Sequence, residues 1–208
     1  MARIMVVEDQ TILRDSLVAA INAEPDLEVV ASLADASGAL AAATTALPDL
    51  VLMDVCTDGG ASGIVAGRAI KEGLEDIRVV IMTGMPEVSF VRQARDAGVD
   101  SFIYKNVGTR ELLAVLRSTL DGYSTFPAKR TDDVFGAVEL SDEEIQILRM
   151  ACEAKSRKEI ADELFISEGT VKRRISDLLT KTGYDNLLKL AVRAVSNGYV
   201  VPGIEHLP

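Results

Sequence analysis

Apolar and polar positions alternate along this chain in blocks that change period. Residues 4–7, Ile4-Met5-Val6-Val7, form a continuous apolar run, as do Leu50-Val51-Leu52-Met53, within a strand expected over 49–53. Such runs suit strands buried on both faces, as in a parallel sheet. Between them Leu13, Leu17, Ala20 and Ile21 recur at helical spacing, with Arg14 and Asp15 turned outward, and Pro25 ends that helix. The pattern predicts further strands at 27–33, 77–82 and 101–104. It predicts helices at 34–46, 64–74, 87–97 and 109–120, with Gly98 and Gly122 as stops. Five strands alternating with five helices imply an α/β fold: a doubly wound, five-stranded parallel sheet in flavodoxin-like order, with strand 1 near the centre.

After residue 121 the periodicity lapses. Pro127, Lys129-Arg130 and Asp132-Asp133 mark a linker over 122–137. A small all-α domain is expected over 138–208, after a first domain at 1–121. Ser141-Asp142-Glu143-Glu144 fits a capping box, and Ile145, Leu148 and Ala151-Cys152 give its helix an apolar face. A second helix runs from about 156 to 164. Phe165-Ile166-Ser167 makes a tight turn, with Ser167 as N-cap of a third helix. That helix buries Val171, Ile175, Leu178 and Leu179 and turns Lys172, Arg173, Ser176 and Thr180 outward, with Arg174 on the flank. Two short helices joined by such a turn, the second basic on its outer face, make a helix-turn-helix. The second helix would enter a DNA major groove. A last helix, 186–196, has more apolar positions than a core needs, and the remainder suits a dimer seam.

Charge sharpens this division. The chain carries a net −10. Residues 1–125 hold 10 Lys and Arg against 18 Asp and Glu, and residues 126–208 hold 12 against 14, so any nucleic-acid surface is local and lies in the second part. Cys56 and Cys152 give neither a disulfide framework nor metal-ligand spacing, and the single His206 disfavours histidine-based catalysis. No stretch of about 18 uncharged apolar residues is present, and Glu8-Asp9 follows the first strand too soon for a signal peptide, so a cytoplasmic protein without a membrane span is expected.

The candidate chemistry sits where strands 1, 3, 4 and 5 would end together: Glu8-Asp9, Asp54, Thr83 and Lys105. Crowded carboxylates repel unless a cation lies between them, and a carboxylate set with open positions suits Mg²⁺. A hydroxyl and an ammonium opposite suit a phosphoryl group, and a free carboxylate can accept one.

With Thr83-Gly84 and Tyr104-Lys105 in this order, residues 3 to about 121 resemble a response-regulator receiver domain. The resemblance implies that Asp54 accepts a phosphoryl group. It further implies that Glu8, Asp9, Asp54 and the Cys56 backbone carbonyl serve Mg²⁺, that Thr83 and Lys105 hold phosphoryl oxygens, and that Tyr104 is a switch aromatic. The segment Val55 to Gly63 departs from the family pattern, with no Met-Pro and one extra residue, and Asn106 stands where Pro is common. Residues 138–200 resemble the LuxR-type helix-turn-helix of the NarL/FixJ regulators, through Leu140-Ser141, Ser156 to Ala161 and Ile166 to Lys172. That resemblance implies base contacts by Lys172, Arg173 and Ser176, and phosphate contacts by Lys158, Thr170 and Arg174. His is common where Arg174 stands, and Gly where Ala154 stands. The two resemblances together imply a phosphorylation-dependent transcriptional response regulator rather than an enzyme. Its partners would be a histidine kinase, double-stranded promoter DNA, a second copy of itself on activation, and RNA polymerase. The alternative is an atypical receiver that binds DNA independently of phosphorylation.

Overall fold

A computed structural model describes residues 1–57, 61–85, 88–127, 138, 140–196 and 199–200, with the side chains of residues 88 and 89 not described. The chain divides into two compact units. In the first, the strands are β1 (Ala2–Val7), β2 (Leu27–Leu33), β3 (Leu50–Asp54), β4 (Arg78–Thr83) and β5 (Ser101–Tyr104). All neighbours pair in parallel, in the order β2-β1-β3-β4-β5. The helices are α1 (Thr11–Asn22), α2 (Ala39–Ala46), α3 (Gly63–Gly73), α4 (Val88–Asp96) and α5 (Thr109–Leu120). The expected sheet is therefore present. Every residue of β3 is buried, which is what a near-uniform apolar run requires when helices cover both faces.

Three local features depart from the sequence pattern. The helix expected over 34–46 is split. Asp35 accepts hydrogen bonds from the Ser37 N–H (2.8 Å) and the Ser37 hydroxyl (2.7 Å), which tightens residues 36–38 into a 3₁₀ turn. Helix α2 then starts at Ala39 and ends where Leu47, at φ 46°, precedes Pro48, because a residue before proline is excluded from the helical region. Arg14 is half-buried rather than outward. Its guanidinium donates to the backbone carbonyls of Glu8 (2.7 Å) and Asp9 (3.3 Å). Residues 124–126 also join the first unit. The Phe102 N–H donates to the Thr125 carbonyl (2.7 Å), the Thr125 N–H to the Ser101 hydroxyl (2.9 Å), and Arg95 lies over the Phe126 ring at 4.0 Å. The outer edge of β5 thus has a partner. Most of the remaining linker lies outside the described residues.

The second unit holds α6 (Asp142–Cys152), α7 (Arg157–Glu163), α8 (Glu168–Thr182) and α9 (Leu187–Ser196). The Ser141–Glu144 capping box is formed, and a second one, Ser156 with Glu159, starts α7. Ser167 caps α8 and Gly183, at φ 74°, ends it. Helix α6 buries Ile147 and Met150, whereas Ala151 and Cys152, expected on its apolar face, are only half-buried. Helix α8 serves two apolar clusters: Val171 and Ile175 pack with Ile160 and Ala161 of α7, and Leu178 packs with Leu190, Ala191 and Ala194 of α9. Leu188 and Val192 of α9 stay outside, 71% and 61% exposed. Val200 is buried in the α9 cluster, so the start of the C-terminal tail belongs to this unit's core, and residues 201–208 lie outside the described residues.

Candidate phosphoryl and nucleic-acid sites

The carboxyl ends of β1, β3 and β5 bring three acids and one ammonium together. Asp54 is the last residue of β3, paired in register with Met82, and the next N–H, of Val55, donates to the Met82 carbonyl at 3.0 Å. The sheet thereby fixes where its carboxylate projects. Lys105 follows β5, and its N–H donates to the Thr83 carbonyl at 2.7 Å, tying the ends of β4 and β5 together. The Lys105 Nζ lies 2.7 Å from Asp54 Oδ2 and 2.7 Å from Glu8 Oε2. Glu8 is 0% and Asp54 5% exposed. Thr83 is buried, Tyr104 is half-buried, and the Tyr104 ring meets Phe102 edge-on at 5.6 Å.

One ammonium does not balance three carboxylates. Burial pushes the Asp54 carboxyl above its ordinary range, with Asp9 adding to the rise and Lys105 opposing it. Burial does the same to Glu8, helped by Asp54. Lys105 is drawn down by burial, but Asp54 and Glu8 outweigh this and hold its pKa above the usual lysine value. Carboxylate oxygens of Glu8, Asp9 and Asp54 all lie within 4.8 Å of one another, and Asp9 Oδ1 is buried with no hydrogen-bond partner. Clustered oxygen donors with an orphaned buried oxygen fit a hard divalent cation.

The loop after Asp54 has its own construction. Cys56 bridges antiparallel to Ser62. The buried Thr57 hydroxyl donates to the Ala61 carbonyl (3.1 Å) and accepts from the Ala36 N–H (3.0 Å), linking the loop to the 3₁₀ turn. Residues 58–60, at the centre of the departure from the family pattern, lie outside the described residues. Ser62 then caps α3 through the Val65 N–H. At Gly63 a Cβ would stand 1.8 Å from the Asp54 carbonyl oxygen, so only glycine lets α3 start this close to β3. Asn106 follows Lys105 through a trans peptide, as expected without proline.

On the second unit Lys172, Arg173 and Ser176 are exposed on α8, and Lys158 is exposed on α7. The other two expected contact residues are engaged within the protein. The Thr170 and Ser167 hydroxyls share a hydrogen bond (2.9 Å), and Arg174 pairs with Glu143 of α6. Sequence reasoning missed Arg14, Thr57 and Glu143. Each acts across a tertiary contact, and no periodicity marks it.

Comparison with known proteins agrees with both halves. The profile of the response regulator receiver domain matches residues 4–117, and that of the bacterial regulatory proteins of the luxR family matches residues 138–194. The transcriptional regulatory protein LiaR of Bacillus subtilis is 29% identical over 211 residues, covering 96% of this chain and 100% of LiaR. A two-component response regulator of the LuxR family from Aurantimonas is 32% identical, with a TM-score of 0.57 over 60% of this chain and 89% of its own. A structure of two RcsB dimers bound to two parallel DNAs shares the fold at 18% identity, with a TM-score of 0.65 over 94% of this chain and 98% of RcsB. A receiver sheet followed by a LuxR-type helix-turn-helix places this chain in the family of two-component response regulators, as a DNA-binding transcriptional regulator.

Proposed function

We propose that Asp54 is the phosphoacceptor and that its phosphorylation controls DNA binding. The observation that carries this reading is the Lys105 ammonium, 2.7 Å from both Asp54 and Glu8 at the carboxyl end of the sheet. One Asp54 oxygen attacks phosphorus, the bond from phosphorus to the donor breaks, and the donor leaves with the electron pair. Lys105 and the Thr83 hydroxyl then hold phosphoryl oxygens, and Lys105 exchanges its Asp54 contact for one to the phosphoryl group. Glu8, Asp9, Asp54 and the Cys56 carbonyl would hold Mg²⁺, which supplies positive charge to the phosphoryl oxygens. Tyr104 reports the change by turning inward as Thr83 closes.

In this reading residues 1–121 are the receiver, 122–137 the linker and 138–208 the DNA-binding domain. A histidine kinase donates the phosphoryl group. Lys172, Arg173 and Ser176 face bases, Lys158 and Thr170 face phosphates, and Arg174, expected at a phosphate, is instead paired with Glu143. The partner on DNA is a second copy of the chain, RNA polymerase is the downstream partner, and the protein acts as a regulator in the cytoplasm rather than as an enzyme. Among the described residues no helix is long and apolar enough to cross a membrane.

The test is phosphorylation by a small acyl phosphate with Mg²⁺, read on a phosphate-affinity gel, for wild type and Asp54→Ala. A shift in wild type alone is expected. A shift in both proteins would move the acceptor elsewhere. A shift in neither would favour DNA binding independent of phosphorylation.

A further inference from the structure

The first turn of α6 is acidic at three successive positions, Asp142, Glu143 and Glu144. Acids there suit the helix N-terminus, but two of them also face α8. Glu144 pairs with Lys181 at 2.7 Å and Glu143 pairs with Arg174. Between the helices lies an indentation bordered by Glu143, Arg173, Arg174 and Asp177. The two pairs differ in what else they do. Glu144 also closes the capping box, accepting from the Ser141 N–H at 2.6 Å, so its position is set by α6 itself. Glu143 has no part in that box, and 48% of its side chain is exposed. Arg174 lies beside the two outward cations, Lys172 and Arg173, so the Glu143 carboxylate neutralises one third of the run Lys172-Arg173-Arg174.

We propose that Glu143 is a specificity-determining residue for DNA binding: it acts as an internal counter-ion that holds Arg174 away from the phosphate backbone while leaving Lys172, Arg173 and Ser176 to read bases. This rests on the reading that the outer face of α8 meets DNA. A phosphate can take Arg174 only by displacing a carboxylate already paired with it, and the displaced carboxylate then stays close to the phosphate as a like charge. Charge for charge the exchange gains little, so Arg174 adds little to binding of arbitrary sequence. Phosphate contacts carry no sequence information, whereas base contacts do. Withholding one phosphate contact therefore lowers non-specific affinity more than specific affinity and widens the ratio between them. The bulk charge of −10 acts in the same direction at longer range.

The experiment is the salt dependence of DNA binding by the full chain, measured both before and after treatment with a small acyl phosphate and Mg²⁺, so that failure to bind counts only when it holds in both states. Wild type, Glu143→Gln, Arg174→Ala and the double variant are compared on a random-sequence duplex and on a duplex enriched by the wild-type protein from a random pool. Each added phosphate contact steepens the slope of log affinity against log salt by about 0.9. Glu143→Gln is expected to steepen the random-duplex slope by that amount. Its affinity should then fall roughly 3- to 4-fold more than that of wild type between about 50 and 200 mM salt. Glu143→Gln should also narrow the ratio of specific to random binding. Arg174→Ala alone should leave the slope near that of wild type, and in the Glu143→Gln background it should return the slope to that value. Thermal melts of the variants confirm that the helices are intact. Equal slopes for wild type and Glu143→Gln, or a slope lowered by Arg174→Ala alone, would overturn the proposal. Failure of wild type and Glu143→Gln to bind either duplex would overturn the α8 reading beneath it, a distinguishable result.

Discussion

Asp54 sits where its own charge is poorly tolerated. It is buried beside Asp9 and Glu8, with Lys105 as the ammonium between them. A carboxylate whose folded pKa is raised contributes stability in full below the unfolded value and loses it as pH rises through the folded value. At neutral pH the ionised Asp54 therefore costs the fold stability. Asp54→Asn keeps the shape and removes the charge, and Lys105 keeps Glu8. The variant should melt higher than wild type in the absence of divalent cation, by on the order of 1 kcal/mol, or roughly 3–6 °C. Differential scanning calorimetry at neutral pH with chelator decides the sign, and a lower melting temperature would contradict this electrostatic account. The acids and the lysine were legible in the sequence because each stands where an apolar run stops, and a parallel sheet delivers all such stops to one edge. Arg14 was not legible. Helical periodicity placed it outward, and only the path of the chain from β1 into α1 lets its guanidinium reach back to the Glu8 and Asp9 carbonyls. Ala154 is a different case. It occupies a left-handed conformation, φ 60°, which explains why the family pattern favours glycine there.

At the scale of elements, caps decided what periodicity left open. Alanine-rich residues 34–46 read as one helix because alanine carries no contrary signal. Asp35 and Ser37 supplied it, through local hydrogen bonds that compete with the helix. The start of the first helix of the DNA-binding unit was legible, because Ser141 and Glu144 stand at capping-box spacing. Glu144 is also a pH-sensitive point of that unit. Burial raises its pKa, but the Lys181 ammonium and the Ser141 N–H more than offset this, so the net shift is downward. A lowered folded pKa contributes stability that is present above the unfolded value and lost as pH falls through the folded one. The helix-turn-helix should therefore lose stability below about pH 4.5, the ordinary glutamate value. Glu144→Gln should show a smaller loss over the same interval. Circular dichroism melts from pH 6 down to about 3 measure both, and parallel losses in the two proteins would remove Glu144 from the account.

For the whole molecule, the split of charge and periodicity foretold two units of different character, and the structure also divides the chain into two compact units. The seam between linker and receiver was the least legible part. Ser124-Thr125-Phe126 has no strand period and no helical one, yet Thr125 exchanges hydrogen bonds with β5 and Phe126 sits under Arg95. This attachment has a consequence for solubility. Strand β5 is the last strand of the sheet, and a bare edge strand offers unpaired N–H and carbonyl groups to any other strand that drifts past. The linker occupies that template before a stranger can. A receiver fragment ending at Tyr123 should therefore associate edge to edge as concentration rises, while one ending at Pro127 should stay monomeric, as light scattering across a dilution series would show. Equal behaviour of the two fragments would mean that the linker does not guard the edge. If they differ, four residues past the last receiver helix decide whether this half of the chain can be handled alone, and a protease that cuts there would release an aggregation-prone product.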